Sequence, residues 1–276
     1  MSGDDALYVR DGAGFVGTVC TGGPWHGGQS GGAVLALLGH VLEDVPTLTP
    51  MSLTRLTVDI VRPVPVGRML FVDTDILREG KKIQLVDLAI RTADDVVTTR
   101  ARALRIRDRD LSGAAGLPAS TTDAHPWTTI PAVDTLESVE HRPGVAEFLR
   151  LGAEMRRSDR AVDGVHTAWV RLRVPVVGGE TVRATSLAAL PLDIVNMIGV
   201  AHLDPAVVSS INPDVTGHVG RAPVGEWVAL TGNTYYDTAV GHGVSMGVMS
   251  DVEGTFGITS TSQILDVLDV FPVTDA

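Results

Sequence analysis

Apolar residues run almost all round the segment Ala33 to Leu42. That pattern predicts a helix buried on every side rather than one with a wet face. Gly27, Gly28, Gly31 and Gly32 lead into it, and Pro46 and Pro50 end it. The period then changes to two. Leu56, Val58 and Ile60 share one face of a long strand, with Arg55, Thr57 and Asp59 on the other. Pro63 and Pro65 break this strand and Gly67 supplies the turn. Leu70, Val72, Thr74 and Ile76 alternate in the next strand, and Glu79-Gly80-Lys81 reads as a hairpin. Val86, Leu88 and Ile90 mark a third strand, Asp94-Asp95 a turn, and Ala101 and Ala103 a fourth. The first half thus predicts one buried helix followed by an antiparallel meander.

Periodicity is lost over residues 111–140, where Ser, Gly, Ala, Pro and Thr dominate, as in a linker. Gly144 to Arg157 is expected to form a helix, with Val145, Phe148, Leu149 and Leu151 on one side. A strand follows, with Ala168, Val170, Leu172 and Val174 facing one way. Leu190-Pro191-Leu192-Asp193 is expected to start a second helix, because proline suits a first turn. Further strands are expected around Val207–Ile211, Glu226–Thr231, Val244–Met249 and Thr255–Leu265.

The chain also repeats itself. Arg62-Pro63-Val64-Pro65-Val66-Gly67 is echoed by Arg221-Ala222-Pro223-Val224-Gly225-Glu226-Trp227, each after a helix and before strands. The expectation is α+β, with two copies of one unit folded against each other: residues 1–110, a linker over 111–140, and residues 141–276. A site between the copies follows from that arrangement.

Composition narrows the function. A chain of 276 residues with 44% hydrophobic residues can build two cores. The net charge of −11 argues against nucleic acid as a partner. A single cysteine, Cys20, permits no intrachain disulfide. The acidic start lacks the marks of a signal peptide, and no apolar run is long enough to span a bilayer, so a cytoplasmic location is expected. No Gly-x-Ser-x-Gly elbow, zinc-ligand spacing, P-loop or dinucleotide fingerprint is present.

Several features together resemble the double-hotdog acyl-CoA thioesterases of the type II, medium- and long-chain branch. They are Gly27-Gly28-Gln29 before the first helix, Arg62-Pro63, the Arg78-Glu79-Gly80-Lys81 hairpin, Asp193 to Asn196, Ser209-Ser210-Ile211-Asn212, Glu226-Trp227 and Ser260-Thr261-Ser262-Gln263. The resemblance implies two tandem hotdog domains that hydrolyse fatty acyl-CoA, with no cofactor, no metal and a possible homo-oligomer. Its catalytic Asp, Ser or Thr, and Gln fall by position on Asp193, Ser210 and Gln263. Asn212 and Thr216 are polar rivals for the place of Ser210, which is followed here by Ile211-Asn212-Pro213.

The chemistry of these residues suits thioester hydrolysis, which needs a water, a group to take its proton and donors to the oxyanion. Asp193 can be the base, although an acid near a helix start also satisfies the helix dipole. Asn196 shares its face at i+3. Gly27 and Gly28 can present bare N–H groups to the thioester oxygen, or can simply allow close packing. Arg78 and Lys81, with Lys82, can meet the phosphates of CoA or stand solvated at a hairpin tip. Met197, Met246 and Met249 suit an acyl tunnel or an ordinary core. His26 beside Trp25 reads as structural. Two other readings stand beside hydrolysis. One is an enoyl-CoA hydratase using His202 and Asp204; the other is an acyl-CoA binder whose catalytic set has decayed.

Overall fold

The computed structural model describes residues 5–24, 27–114, 116, 130–142, 144–158, 161, 165–199 and 207–267. The glycine-led apolar segment forms helix α1, Gly31–Asp44, in which ten residues are buried, from Gly32 to His40 and again at Leu42. It stops at Val45, whose extended backbone is what a following proline demands. The second helix, α2, is Ala184–Gly199. It begins six residues before Leu190, so Pro191 lies inside the helix rather than opening it. Proline there forfeits one backbone bond and crowds the preceding turn. The extra turns bury Ser186, Ala188 and Ala189.

The two helices run in opposite directions and lie close together. A Cβ on Gly39 would come within 2.7 Å of the Thr185 carbonyl oxygen, and one on Gly32 within 3.1 Å of the Phe148 ring. Glycine at 39 lets the helix backbones approach, and glycine at 32 admits the Phe148 ring against α1.

Around them lies one antiparallel sheet. The first half contributes β1 (Tyr8–Asp11), β2 (Gly14–Gly17), β3 (Met51–Ile60), β4 (Met69–Arg78), β5 (Ile83–Thr92) and β6 (Val97–Arg107). The second contributes β7 (Glu137–Ser138), β8 (Ala153–Arg157), β9 (His166–Leu172), β10 (Val208–Ile211), β11 (Asp214–Val219), β12 (Val228–Asp237), β13 (His242–Asp251) and β14 (Gly254–Val267). Their order is β1-β2-β4-β5-β6-β3-β11-β14-β13-β12-β9-β8-β7, with β10 also paired to β14. The halves join edge to edge through β3 and β11, from Asp214 opposite Asp59 to His218 opposite Arg55. The architecture is a double hotdog: two central helices wrapped by a sheet that is continuous across both units.

The helix expected over Gly144 to Arg157 is not formed. A single π turn at Phe148–Gly152 gives way to β8. The turn ends at Gly152, where a Cβ would meet the Cys20 carbonyl oxygen at 2.4 Å. From there Ala153 and Met155 are buried at alternate positions, and pairing with β9 claims the backbone. Glu154 stands between Arg156 and Arg171 and is ion-paired to both.

The repeated corner is real in backbone terms. Gly67 and Gly225 both take left-handed φ, at 69° and 84°. The arginines that open the two corners differ. Arg221 forks onto Asp251 at 2.5 and 2.7 Å, whereas Arg62 uses its backbone N–H on Thr98.

Both halves bury polar side chains among apolar ones. In β5 and β6, Gln84, Thr98, Thr99 and Arg105 are buried beside Val86, Leu88, Ile90, Ala101 and Ala103. In β12 to β14, Thr231, Thr234, Ser245, Thr259, Thr261 and Gln263 are buried beside Val228, Leu230, Met249 and Phe256.

Candidate active site

The polar cluster begins where α1 begins. The first N–H groups of a helix have no intrahelical partner and carry the positive end of its dipole. Here the Gly32 N–H donates to the carboxylate of Asp193, which comes from α2. The contact needs glycine: a Cβ on Gly31 would lie 2.3 Å from Asp193 Oδ1. Asn212, just past β10, donates from Nδ2 to the same oxygen at 2.8 Å. Burial raises the Asp193 carboxyl above the usual carboxylate range, while the bonds from Asn212 and Gly32 pull the other way. The residue keeps partial exposure. A carboxylate so placed is a stronger proton acceptor than one in open solvent.

From Asn212 the network runs through Asn196. Asn196 Nδ2 donates to Asn212 Oδ1 at 3.0 Å. Asn196 Oδ1 accepts from Ser210 Oγ at 2.8 Å and from Gln263 Nε2 at 2.6 Å. Gln263 Nε2 also lies 2.5 Å from Ser245 Oγ, and Ser245 Oγ 2.5 Å from Thr234 Oγ1. Gln263 is buried, and its Oε1 has no hydrogen-bond partner among the described residues.

Asp193, Asn196, Ser210 and Gln263 therefore share one network, but Asp193 touches neither Ser210 nor Gln263. Asn212 is its direct side-chain partner, and Asn196 is the hub on which Ser210 and Gln263 meet. Thr216 lies outside the network, its hydroxyl 3.4 Å from Thr57 Oγ1 across the seam. Ser245 and Thr234 are members that sequence reasoning missed. A serine at an inward position of β13 was the available signal.

Gly27 and Gly28 belong to a loop laced to the 62–67 corner. Val66 N–H donates to the Gly27 carbonyl at 3.0 Å, and Gln29 N–H to that of Val64 at 2.8 Å. Gly27 takes φ 74°. Gln29 is held by the Tyr8 hydroxyl at 2.6 Å and donates to the Pro65 carbonyl at 2.8 Å. Gly28 is buried, and its N–H makes no hydrogen bond among the described residues.

Arg78 and Lys81 stand apart from this cluster. Both are exposed. The Lys81 carbonyl accepts from Thr49, and Gln84 of the same hairpin donates to the Pro46 carbonyl. The hairpin therefore adjoins the C-terminal end of α1. Asp193 sits at its N-terminal end, and a helix of this length spans about 20 Å. Met249 is buried, Met197 is packed against the core, and Met246 is 42% exposed, so the three do not line one tunnel. His26, His202 and Asp204 lie outside the described residues. Among the described residues no group of His, Cys, Asp and Glu could hold a metal ion, and no helix is long and apolar enough to cross a membrane.

Residues 21–106 match the acyl-CoA thioesterase N-terminal domain family. Among curated proteins, none matches the sequence. Solved structures share the whole double hotdog. A protein from Novosphingobium aromaticivorans described as a thioesterase has 19% identity and a TM-score of 0.70, over 94% of this chain and 98% of that one. A hotdog-fold protein of unknown function from Alicyclobacillus acidocaldarius has 17% identity and a TM-score of 0.70, over 99% of both chains. An acyl-CoA thioesterase II from Mycobacterium marinum has 12% identity and a TM-score of 0.64, over 95% of this chain and 96% of that one. These likenesses fix the fold.

Proposed function

We propose that the protein hydrolyses fatty acyl-CoA to a free acid and CoA at the Asp193 cluster. The observation that carries this reading is the Asp193 carboxylate, raised in basicity by burial and held at the start of α1 by Gly32 and Asn212. In the reaction Asp193 takes a proton from water as the water oxygen bonds to the thioester carbon. The carbonyl oxygen becomes an oxyanion, polarised by the Gly28 N–H beside the positive end of α1. The C–S bond then breaks, and the CoA sulfur leaves with the proton that Asp193 had taken. Gln263 does not titrate near neutral pH, so its part is orientation. It acts with Ser210 on Asn196, and Asn196 in turn sets Asn212 against Asp193. Asn212 thus takes the water-orienting place first given to Ser210. Arg78 and Lys81 remain candidates for the phosphates of CoA, at a distance from the reacting carbon.

On this reading the functional units are residues 1–110 and 141–276, joined by 111–140, and a reducing cytosol suits the single cysteine. Incubation with octanoyl-CoA, palmitoyl-CoA and crotonyl-CoA tests it. Free thiol should appear from octanoyl- or palmitoyl-CoA. Loss of the enoyl absorbance without thiol would make the protein a hydratase, and binding without either change would make it an acyl-CoA binder.

A further inference from the structure

At the far end of the helix pair lies a groove of about 430 Å³, between the end of α1, the start of α2 and the beginning of β3. Its size is that of a small-molecule site. The wall has an apolar part, including Leu42, Met51, Leu53 and Ala188, and Glu43 and Asp108 also line it. Arg105 also lines it, although only 6% of that residue is exposed.

Arg105 sits at an inward position of β6, following Ala101 and Ala103. A buried guanidinium is costly unless its charge is compensated. The protein supplies only neutral oxygens. Nε donates to Gln84 Oε1 at 2.8 Å and Nη2 to the Val45 carbonyl at 2.8 Å. The second bond caps the end of α1. Among the described residues, Nη1 makes no hydrogen bond and no carboxylate lies within ion-pair distance of Arg105. Glu79 is one amide away, bonded to Gln84. Glu43 is committed to Thr185, whose N–H donates to it at 2.9 Å. Burial lowers the Arg105 pKa, while the charges of Glu79 and Glu43, neither in contact with it, pull the other way.

We propose that this groove binds a small amphiphilic carboxylate, a free acid with a medium-length apolar chain, with Arg105 as its anchor. The carboxylate supplies the direct ion-pair contact that Glu79 and Glu43 do not make, and the chain lies on the apolar part of the wall. The site is distinct from the Asp193 cluster and does not depend on the hydrolytic reading.

Calorimetric titration with decanoate tests it. Wild type should bind decanoate at one site and bind decanol at least tenfold more weakly. Arg105→Gln should weaken decanoate at least tenfold. Ala184→Trp fills the groove from an exposed position, leaves Arg105 in place and should abolish binding. It serves as the test if Arg105→Gln does not fold. Octanoyl-CoA turnover, where measurable, should be unchanged in Ala184→Trp. Absence of decanoate binding, or equal affinity in wild type and the variants, overturns the proposal. So does displacement of decanoate by CoA with CoA itself weakened in Arg105→Gln, which would make the groove a phosphate site.

Discussion

The carboxylate of Asp193, on the second helix, accepts the N–H of Gly32 at the start of the first. The contact joins the two halves of the chain at the place where catalysis is proposed.

Replacing Asp193 by Asn keeps the shape and removes the base. General-base catalysis contributes about a hundredfold to ten-thousandfold. Asp193→Asn should therefore lower octanoyl-CoA turnover by about that factor while the circular dichroism spectrum stays native. Near wild-type turnover would reduce Asp193 to a helix-start acid.

The pH dependence has a defined sign. The base must be ionised, and burial raises its pKa, so turnover should fall on acidification from a pH above the range of an ordinary Asp. Stability runs the other way. A carboxyl whose folded pKa is raised contributes stability below its unfolded pKa and loses it as pH rises through the folded value. At neutral pH, Asp193→Asn should melt no lower than wild type. Any gain should vanish below the ordinary Asp range. Melting curves across pH check both statements.

Gly31→Ala places a methyl group 2.3 Å from Asp193 Oδ1. The carboxylate must move, so turnover should fall at least tenfold and the melting temperature should drop. An unchanged turnover would mean that the Asp193 position is not critical.

Asn212 touches Asp193 directly, whereas Ser210 acts through Asn196. A lost orienting contact costs about 1–3 kcal/mol, or about ten- to a hundredfold in rate. Asn212→Ala should lose that much, and Ser210→Ala should lose less. Gln263→Ala should lower turnover while acyl-CoA still binds, and by less than Asp193→Asn. Kinetics of the three variants with octanoyl-CoA give the ranking, and a Ser210→Ala loss exceeding that of Asn212→Ala would reverse the assignment.

The sequence was most legible where one periodicity ruled. The all-round apolar run of α1 and the alternation of β3 to β6 led directly to the elements observed. It was least legible where tertiary contacts overrode local cues. Pro191 reads as a helix start but lies within α2, whose earlier turns are fixed by packing on α1. Gly144 to Arg157 has helical spacing, yet β9 draws its latter part into the sheet. β11 went unseen because Pro213 precedes it and Gly217 interrupts its alternation, although it forms the seam. Within the proposed site, Asp193, Ser210 and Gln263 could be named through the family resemblance. That Asn196 and Asn212 stand between them could not, because amide partners are chosen by geometry rather than spacing.

The two helix starts invite comparison. Gly32 gives its N–H to Asp193 of α2, and Thr185 gives its N–H to Glu43 of α1. In an assembly of two identical chains, such ends would be copies of each other, and any substitution would alter both. Joining the units in one polypeptide removes that constraint. One end can keep a carboxylate in a network of amides while the other drifts toward a surface acid beside a groove. Covalent linkage thus frees the second end from the demands of the first.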